Sequence, residues 1–191
     1  GFMIYLASSS PRRAELLHQI GVNFKVLEID VDEAPFALET PEYYVQRMAK
    51  AKLDAARCSV GDEGVAILAA DTIISIDNEI VGKPQDQTHC KCTLSKLSGR
   101  THQVLTCLAF RFEGKTCLTL SANQVRFRVI EEAEMVIYCS TNEPLDKAGA
   151  YAIQGKAAIF VENLEGSYSS VMGLPLFETA KLLKQAGITV I

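Results

Sequence analysis

The sequence has no excess of basic residues, no apolar run of membrane length, and no repeat or low-complexity stretch. With 19 basic residues against 23 acidic ones the formal charge is -4. That balance excludes a general nucleic-acid-binding surface and confines any phosphate affinity to a local site. No apolar stretch reaches the ~20 residues of a membrane span, and the first residues lack the charged-then-apolar layout of a signal segment. A soluble, cytoplasmic protein is expected. Linkers rich in Pro, Gly or Ser are also missing, so 191 residues suit a single domain over 1-191, either one sizeable unit or two lobes about a central cleft.

Cysteine is present but lacks a framework. Cys58, Cys90, Cys92, Cys107, Cys117 and Cys139 are scattered, several of them inside apolar runs, as free buried thiols are, so no disulfide is expected. His89-Cys90-Lys91-Cys92 has no second ligand pair at zinc spacing, which leaves a helix surface as its reading.

The stretch from Leu6 to Leu17 organises the chain. Met3-Ile4-Tyr5-Leu6-Ala7 is a short apolar run of buried-strand type, and the serines after it end where Pro11 opens a helical pattern. Ser10 suits the N-cap and Pro11 the first helical position. Arg12 and Arg13 then occupy the first turn, where the helix dipole disfavours cations unless an anion is shared there. Ser8, Ser10, the free N–H groups and the two guanidinium forks would together cradle a polyphosphate, although the glycines and lysine of a P-loop are missing. A capped helix with two solvated arginines accounts for the same pattern.

Further along, Gly21 stops the first helix, Phe24–Ile29 alternates as a second strand, and Asp30-Val31-Asp32-Glu33 closes it. Glu33 is a candidate because open α/β sheets place ligands beyond the carboxyl ends of parallel strands. Thr40-Pro41 repeats the cap-then-proline start, and the helix runs to about Ala56 with the stripe Val45, Met48, Ala49, Ala56. Lys52 fills the stripe position between Ala49 and Ala56, so it either snorkels outward or points into a cleft to meet an anion.

Val65–Ile76 is apolar on both sides of Asp71. A central strand carrying a lone carboxylate costs several kcal/mol unless a metal ion, a lysine or a proton meets the charge, and each of these belongs to a site rather than to a core. Lys83, fixed extended by Pro84, reads alone as a loop lysine. A helix over Thr88–Leu97, long strands over His102–Phe112 and Lys115–Val129 joined at Glu113-Gly114, and a helix from Glu131 to Ser140 follow. The segment from Asp146 to Gly155 mixes glycines, a charged pair and Gln154 with small residues, as a loop pressed against a ligand does. Ile159-Phe160-Val161 restores a strand, Gly166-Ser167-Tyr168 turns, a last helix begins at Leu174-Pro175 and ends at Ala186, and Ile188–Ile191 closes as a strand.

Six stretches fall together in order: Ser8-Ser9-Ser10-Pro11-Arg12-Arg13, Ala70-Asp71-Thr72, Gly82-Lys83-Pro84, Leu97-Ser98-Gly99-Arg100-Thr101-His102-Gln103-Val104, Asp146-Lys147-Ala148-Gly149-Ala150-Tyr151 and Gly166-Ser167-Tyr168 with Gly173-Leu174-Pro175-Leu176. In register over essentially the whole chain, they resemble the Maf family of nucleoside triphosphate pyrophosphatases. The resemblance implies an elongated, two-lobed mixed α/β fold similar to inosine triphosphate pyrophosphatase, with a central cleft and a homodimeric state. It implies hydrolysis of a nucleoside triphosphate to monophosphate and pyrophosphate with a divalent cation, Mg²⁺ or Mn²⁺.

By the same resemblance Asp71 is the proton acceptor, and Arg12, Thr72 and Gln154 match positions tied to substrate choice. Arg13, Glu33, Lys52 and Lys83 match other cleft residues. The form Ala150-Tyr151-Ala152-Ile153-Gln154-Gly155 is similar to the subgroup acting on dTTP and UTP rather than that acting on 7-methyl-GTP. Ala152 departs from a glycine often found in that subgroup, and Met172 from a small aliphatic residue. On chemistry alone Asp71 either holds metal, with Glu33, or serves as base. The rival from another class is a nucleotide-binding regulator of cell division that binds without turnover.

Overall fold

Residues 2–146 and 151–191 are described by the computed structural model, without the Asp146 side chain. Of the loop expected between Asp146 and Gly155, residues 147–150 therefore lie outside the described residues. One mixed sheet carries the strands in the order β2-β1-β3-β5-β6-β7, with β4 added beside β3. β1 (Met3–Ala7) runs parallel to β2 (Lys25–Leu27) and β3 (Val65–Ile76). From β3 the sheet turns antiparallel through β5 (Thr101–Phe112), β6 (Lys115–Phe127) and β7 (Val161–Glu165). Two tight turns set the register: Asp77-Asn78, leading into β4 (Glu79–Val81), and Glu113-Gly114, between β5 and β6, all have positive φ. That backbone matches the right-handed twist of paired strands.

The helices start where the sequence gives them a cap. In α1 (Pro11–Gln19) Ser10 Oγ accepts the Arg13 N–H, and in α2 (Pro41–Val60) Thr40 Oγ1 accepts that of Tyr43. Asp86 caps α3 (Gln87–Leu97), and a capping box of Glu131 and Glu134 opens α4 (Glu132–Cys139). α5 (Tyr168–Met172) and α6 (Leu176–Gln185) complete the set.

Alternation along β3 decides what each helix covers. Ile67, Ala69 and Ile73 face α2 and pack on Val45, Met48, Ala49 and Leu53. On the other face Ala66, Leu68 and Ala70 meet Leu16, Leu17 and Leu183 of α1 and α6. Further along that same face Ile74 and Ile76 join Leu94, Leu97, Met135, Tyr138 and Phe127 in a separate core under α3 and α4. Each fully buried leucine contributes about 1.5–3 kcal/mol. The two cores on this face do not merge. Between them Thr72 pairs with Thr106 across the sheet, and two residues back along β5 Val104 pairs with Asn123 of β6, so a polar band crosses the sheet. Asn123 Nδ2 donates to the Val104 carbonyl and to Ser170 Oγ, which satisfies this buried band.

Several expectations are corrected. Cys90 of α3 and Cys139 of α4 form a disulfide, with their Cα atoms 5.8 Å apart. Packing of two helices 49 residues apart in sequence sets this pairing, and no local spacing reports it. Cys58, Cys92, Cys107 and Cys117 are free. The second strand is only three residues long, α2 runs on to Val60 before Gly61 ends it with φ 74, and Gly166 turns directly into α5. Lys156–Phe160 forms a 3-10 turn, so the strand expected at Ile159 begins at Val161. Ile188–Ile191 is not a strand. It packs Ile188 and Val190 against the α1–α6 core and makes a backbone bond from Ile191 N–H to the Ile20 carbonyl, without a paired strand beside it.

Candidate active site

The site begins with a gap in the sheet. β1 pairs with β3 as far as Ala69 and β4 joins at Ile74, while β5 occupies the opposite edge throughout. Residues 70–73 therefore have no strand partner on that edge among the described residues. Asp71 and Thr72 stand in the gap, and both open onto a cavity of about 910 Å³.

Asp71 is 8% exposed and lies on the α2 face of β3. Lys52, from the helix stripe, points inward: its Nζ donates to Asp71 Oδ1 at 2.8 Å and lies 3.6 Å from Glu33 Oε1. Burial raises the Asp71 pKa above the ordinary carboxylate range, opposed first by the Lys52 charge and its hydrogen bond, then by Arg13. Glu33 is the exposed member of this trio. The Tyr44 hydroxyl donates to the Glu33 carbonyl at 2.6 Å, and Arg47 Nη2 donates to that of Ala34 at 3.1 Å, so α2 holds both Lys52 and the segment bearing Glu33.

Thr72 points to the other face. Arg13 donates from Nη2 to Thr72 Oγ1 at 3.0 Å, from Nη1 to Ser8 Oγ at 3.3 Å and from Nε to the Gly173 carbonyl at 2.7 Å. Gly173 has φ +126, a conformation that side chains rarely adopt. Three of the five guanidinium N–H groups are thus held by protein, which leaves two for an anion. Burial lowers the Arg13 pKa, with Asp71 opposing; an arginine stays protonated all the same. Thr106 Oγ1 donates to the Ser170 carbonyl at 2.8 Å, so in its 2.8 Å contact with Thr72 it is Thr72 that donates. Ser8 Oγ accepts from the Ser10 N–H at 3.0 Å as well as from Arg13, so its own hydrogen is free to donate into the cavity.

All ten residues singled out in the sequence border this one cavity. Besides those above, Ser10 and Arg12 contribute from the β1–α1 turn, Lys83 from the segment after β4 and exposed Gln154 from the segment just before the 3-10 turn. Ala152 and Met172, the two departures from the subgroup, line it too. Among the described residues no three His, Cys, Asp or Glu side chains cluster as a metal site. Glu33 and Asp71 are two hard carboxylate donors that meet at the Lys52 ammonium, and donors of that type suit Mg²⁺ or Mn²⁺.

Sequence reasoning missed the supports. Thr106 sits in a segment read as strand, Tyr44 in one read as helix, and Ser170 and Glu143 in connections, and no local pattern marks the last three. The lone hydroxyl of Thr106 inside Val104–Phe110 was the available signal, since a buried hydroxyl requires a partner.

The family pattern for Maf-like proteins matches residues 3–186. A dTTP/UTP pyrophosphatase of Nitrosomonas europaea is 48% identical over 201 residues, covering 100% of this chain and 97% of that one. Another, of Methylobacillus flagellatus, is 46% identical and covers 98% and 94%. Among solved structures, the Staphylococcus aureus Ham1 protein superposes with a TM-score of 0.56 at 15% identity, covering 96% of this chain and 98% of that one, a likeness of fold. No helix of the described residues is long and apolar enough to cross a membrane.

Proposed function

The chain belongs to the Maf family, and from that premise and its cleft we propose that it hydrolyses dTTP and UTP to the monophosphate and pyrophosphate. The observation that carries this reading is Asp71, a buried carboxylate with raised pKa, set in a sheet gap beside Lys52 and open to a cavity large enough for a nucleotide. In the reaction water adds across the α–β anhydride. Its oxygen bonds to phosphorus, the bridging P–O bond breaks, and its proton passes to Asp71. A raised pKa brings the carboxylate toward neutrality, where a general base is most effective.

Arg12, Lys52, Lys83 and the two free donors of Arg13 counter the charge of the triphosphate from fixed positions. Ser8 and Ser10 offer hydroxyls to its oxygens. With Asp71 kept as the base, Glu33 would hold the divalent cation, which supplies charge neutralisation and polarises a phosphoryl oxygen when bound. Gln154 reads the base: its amide offers a donor and an acceptor, matching the N3–H and carbonyls of uracil or thymine. In the same reading Thr72 orients Arg13, and the protein acts in the cytoplasm as a homodimer.

The test is pyrophosphate release from UTP, dTTP, CTP, ATP and GTP with Mg²⁺. Turnover fastest on UTP and dTTP is expected. Binding without release would overturn the enzyme and leave a nucleotide-binding regulator.

A further inference from the structure

We propose that Glu143, which lies outside the cavity, is a positioning residue for substrate choice, holding the segment that carries Gln154 at the height where its amide meets the base. The proposal rests on the reading of Gln154 as the base reader.

The 3-10 turn Lys156–Phe160 starts from Gly155, which has no side chain to cap it. Its first N–H groups need acceptors, and Glu143 supplies them from thirteen residues away. Glu143 Oε1 accepts the Lys156 N–H at 2.8 Å, and Oε2 lies 3.4 Å from the Ala157 N–H. The carboxylate is itself fixed from below, since the Tyr138 hydroxyl donates to Oε2 at 2.6 Å and the Tyr138 ring is buried edge-on against Phe160. Glu143 fits so closely under the backbone that a Cβ at Gly155 would overlap its carboxylate. Gly155 in turn closes a bend by donating its N–H to the Ala152 carbonyl at 3.0 Å. Gln154 lies inside that bend. Its backbone is therefore set from one side by the bend and from the other by the Glu143 carboxylate, and moving either end swings the amide along the cavity wall.

Glu143→Gln keeps the shape but replaces one acceptor oxygen with an NH₂ that opposes N–H donors, so the segment shifts without losing its core anchor. The experiment measures kcat and KM for UTP and GTP in the wild type, Glu143→Gln, Gln154→Ala and the double variant. Glu143→Gln is expected to lose about tenfold of the UTP-over-GTP preference, the loss falling on KM for UTP while kcat changes little, and to add no further loss in the Gln154→Ala background. A lowered ratio in Gln154→Ala with an unchanged ratio in Glu143→Gln overturns the positioning role alone. Equal losses on both nucleotides, or a full additive loss in the double variant, overturn it as well. An unchanged ratio in Gln154→Ala overturns the base reading and this proposal with it. If Glu143→Gln does not fold, Gly155→Ala decides, because its added methyl displaces the same carboxylate from the loop side and is expected to give the same drop in ratio; an unchanged ratio there overturns the proposal.

Discussion

The two walls of the cleft are built in opposite ways. One wall carries charge on regular elements: Arg12 and Arg13 on α1, Lys52 on α2, Asp71 on β3, with Glu33 tied to α2 through its backbone. The other offers small or apolar residues, Ala152, Ile153 and Met172, together with Gln154, and the segment bearing Gln154 is held by the Glu143 side chain. On the function proposed above, the difference follows from what each wall would recognise. A triphosphate presents the same charge whatever its base, so its wall works best as fixed, preorganised dipoles and ions. Bases differ in shape and in one edge of hydrogen bonds, which an apolar surface with a single amide can tell apart. Substitutions of Arg13, Lys52 or Asp71 on the charged wall should therefore cost every nucleotide alike, and those on the other wall should change ratios.

The largest effect should come from Asp71→Asn, which keeps the shape and removes the proposed base. Turnover is expected to fall by about 10²–10⁴, by the same factor on UTP and GTP, with nucleotide binding largely retained. Because burial raises the Asp71 pKa, wild-type kcat should fall as pH drops through that raised value, and the variant should lack this limb. Near-wild-type turnover would remove Asp71 from the chemistry. A changed UTP:GTP ratio would break the division between the walls.

The second wall has its own titrating support. His102 is 1% exposed, its Nε2 lies 2.6 Å from Tyr151 Oη, and its ring meets Phe127 and Tyr151 edge-on. Its Nδ1 has no partner among the described residues, and burial pushes its pKa down to about 4. The unfolded chain takes up this proton near pH 6.5 and the folded one only near 4. Stability from this group is thus present at neutral pH and lost as pH falls through that window, about 3 kcal/mol in all. Urea unfolding between pH 7 and 4 should show this extra slope in the wild type and not in His102→Phe. Equal slopes would show that His102 is not held neutral by the fold.

How far the site was legible follows from the range of each interaction. Ser10 and Pro11 are short-range facts: a cap acts over three residues, so the β1–α1 turn could be placed from the chain alone, whereas the helix stripe put Lys52 between Ala49 and Ala56 without deciding whether it points outward or into a cleft. Asp71 stood out because an apolar strand around a carboxylate demands a partner, although the identity of that partner had to come from packing. The disulfide between Cys90 and Cys139, the Thr72–Thr106–Ser170 relay and the Glu143 carboxylate each join segments far apart in sequence. Only the folded chain brings these together. The mistaken closing strand has a related cause, since Ile188–Ile191 has the alternation of a strand but no neighbouring edge to pair with.

The smallest effect tests the charged wall through its backbone. Tyr44 is 7% exposed, and burial pushes its phenol pKa up to about 12, so the hydroxyl stays protonated and donates to the Glu33 carbonyl. Tyr44→Phe removes this bond and little else. A net hydrogen bond is worth about 1 kcal/mol, or roughly fivefold, and Arg47 still holds the neighbouring Ala34 carbonyl, so the Glu33 segment should loosen rather than detach. A drop in kcat/KM of at most about fivefold is expected, equal on UTP and GTP, with Tm little changed. This is the mirror image of Glu143→Gln, since both variants disturb a side chain that holds backbone beside the cavity, yet one should lower all rates and the other should shift the ratio. If Tyr44→Phe shifts the ratio instead, Glu33 and the segment around it take part in choosing the base, and the charged wall is not blind to it.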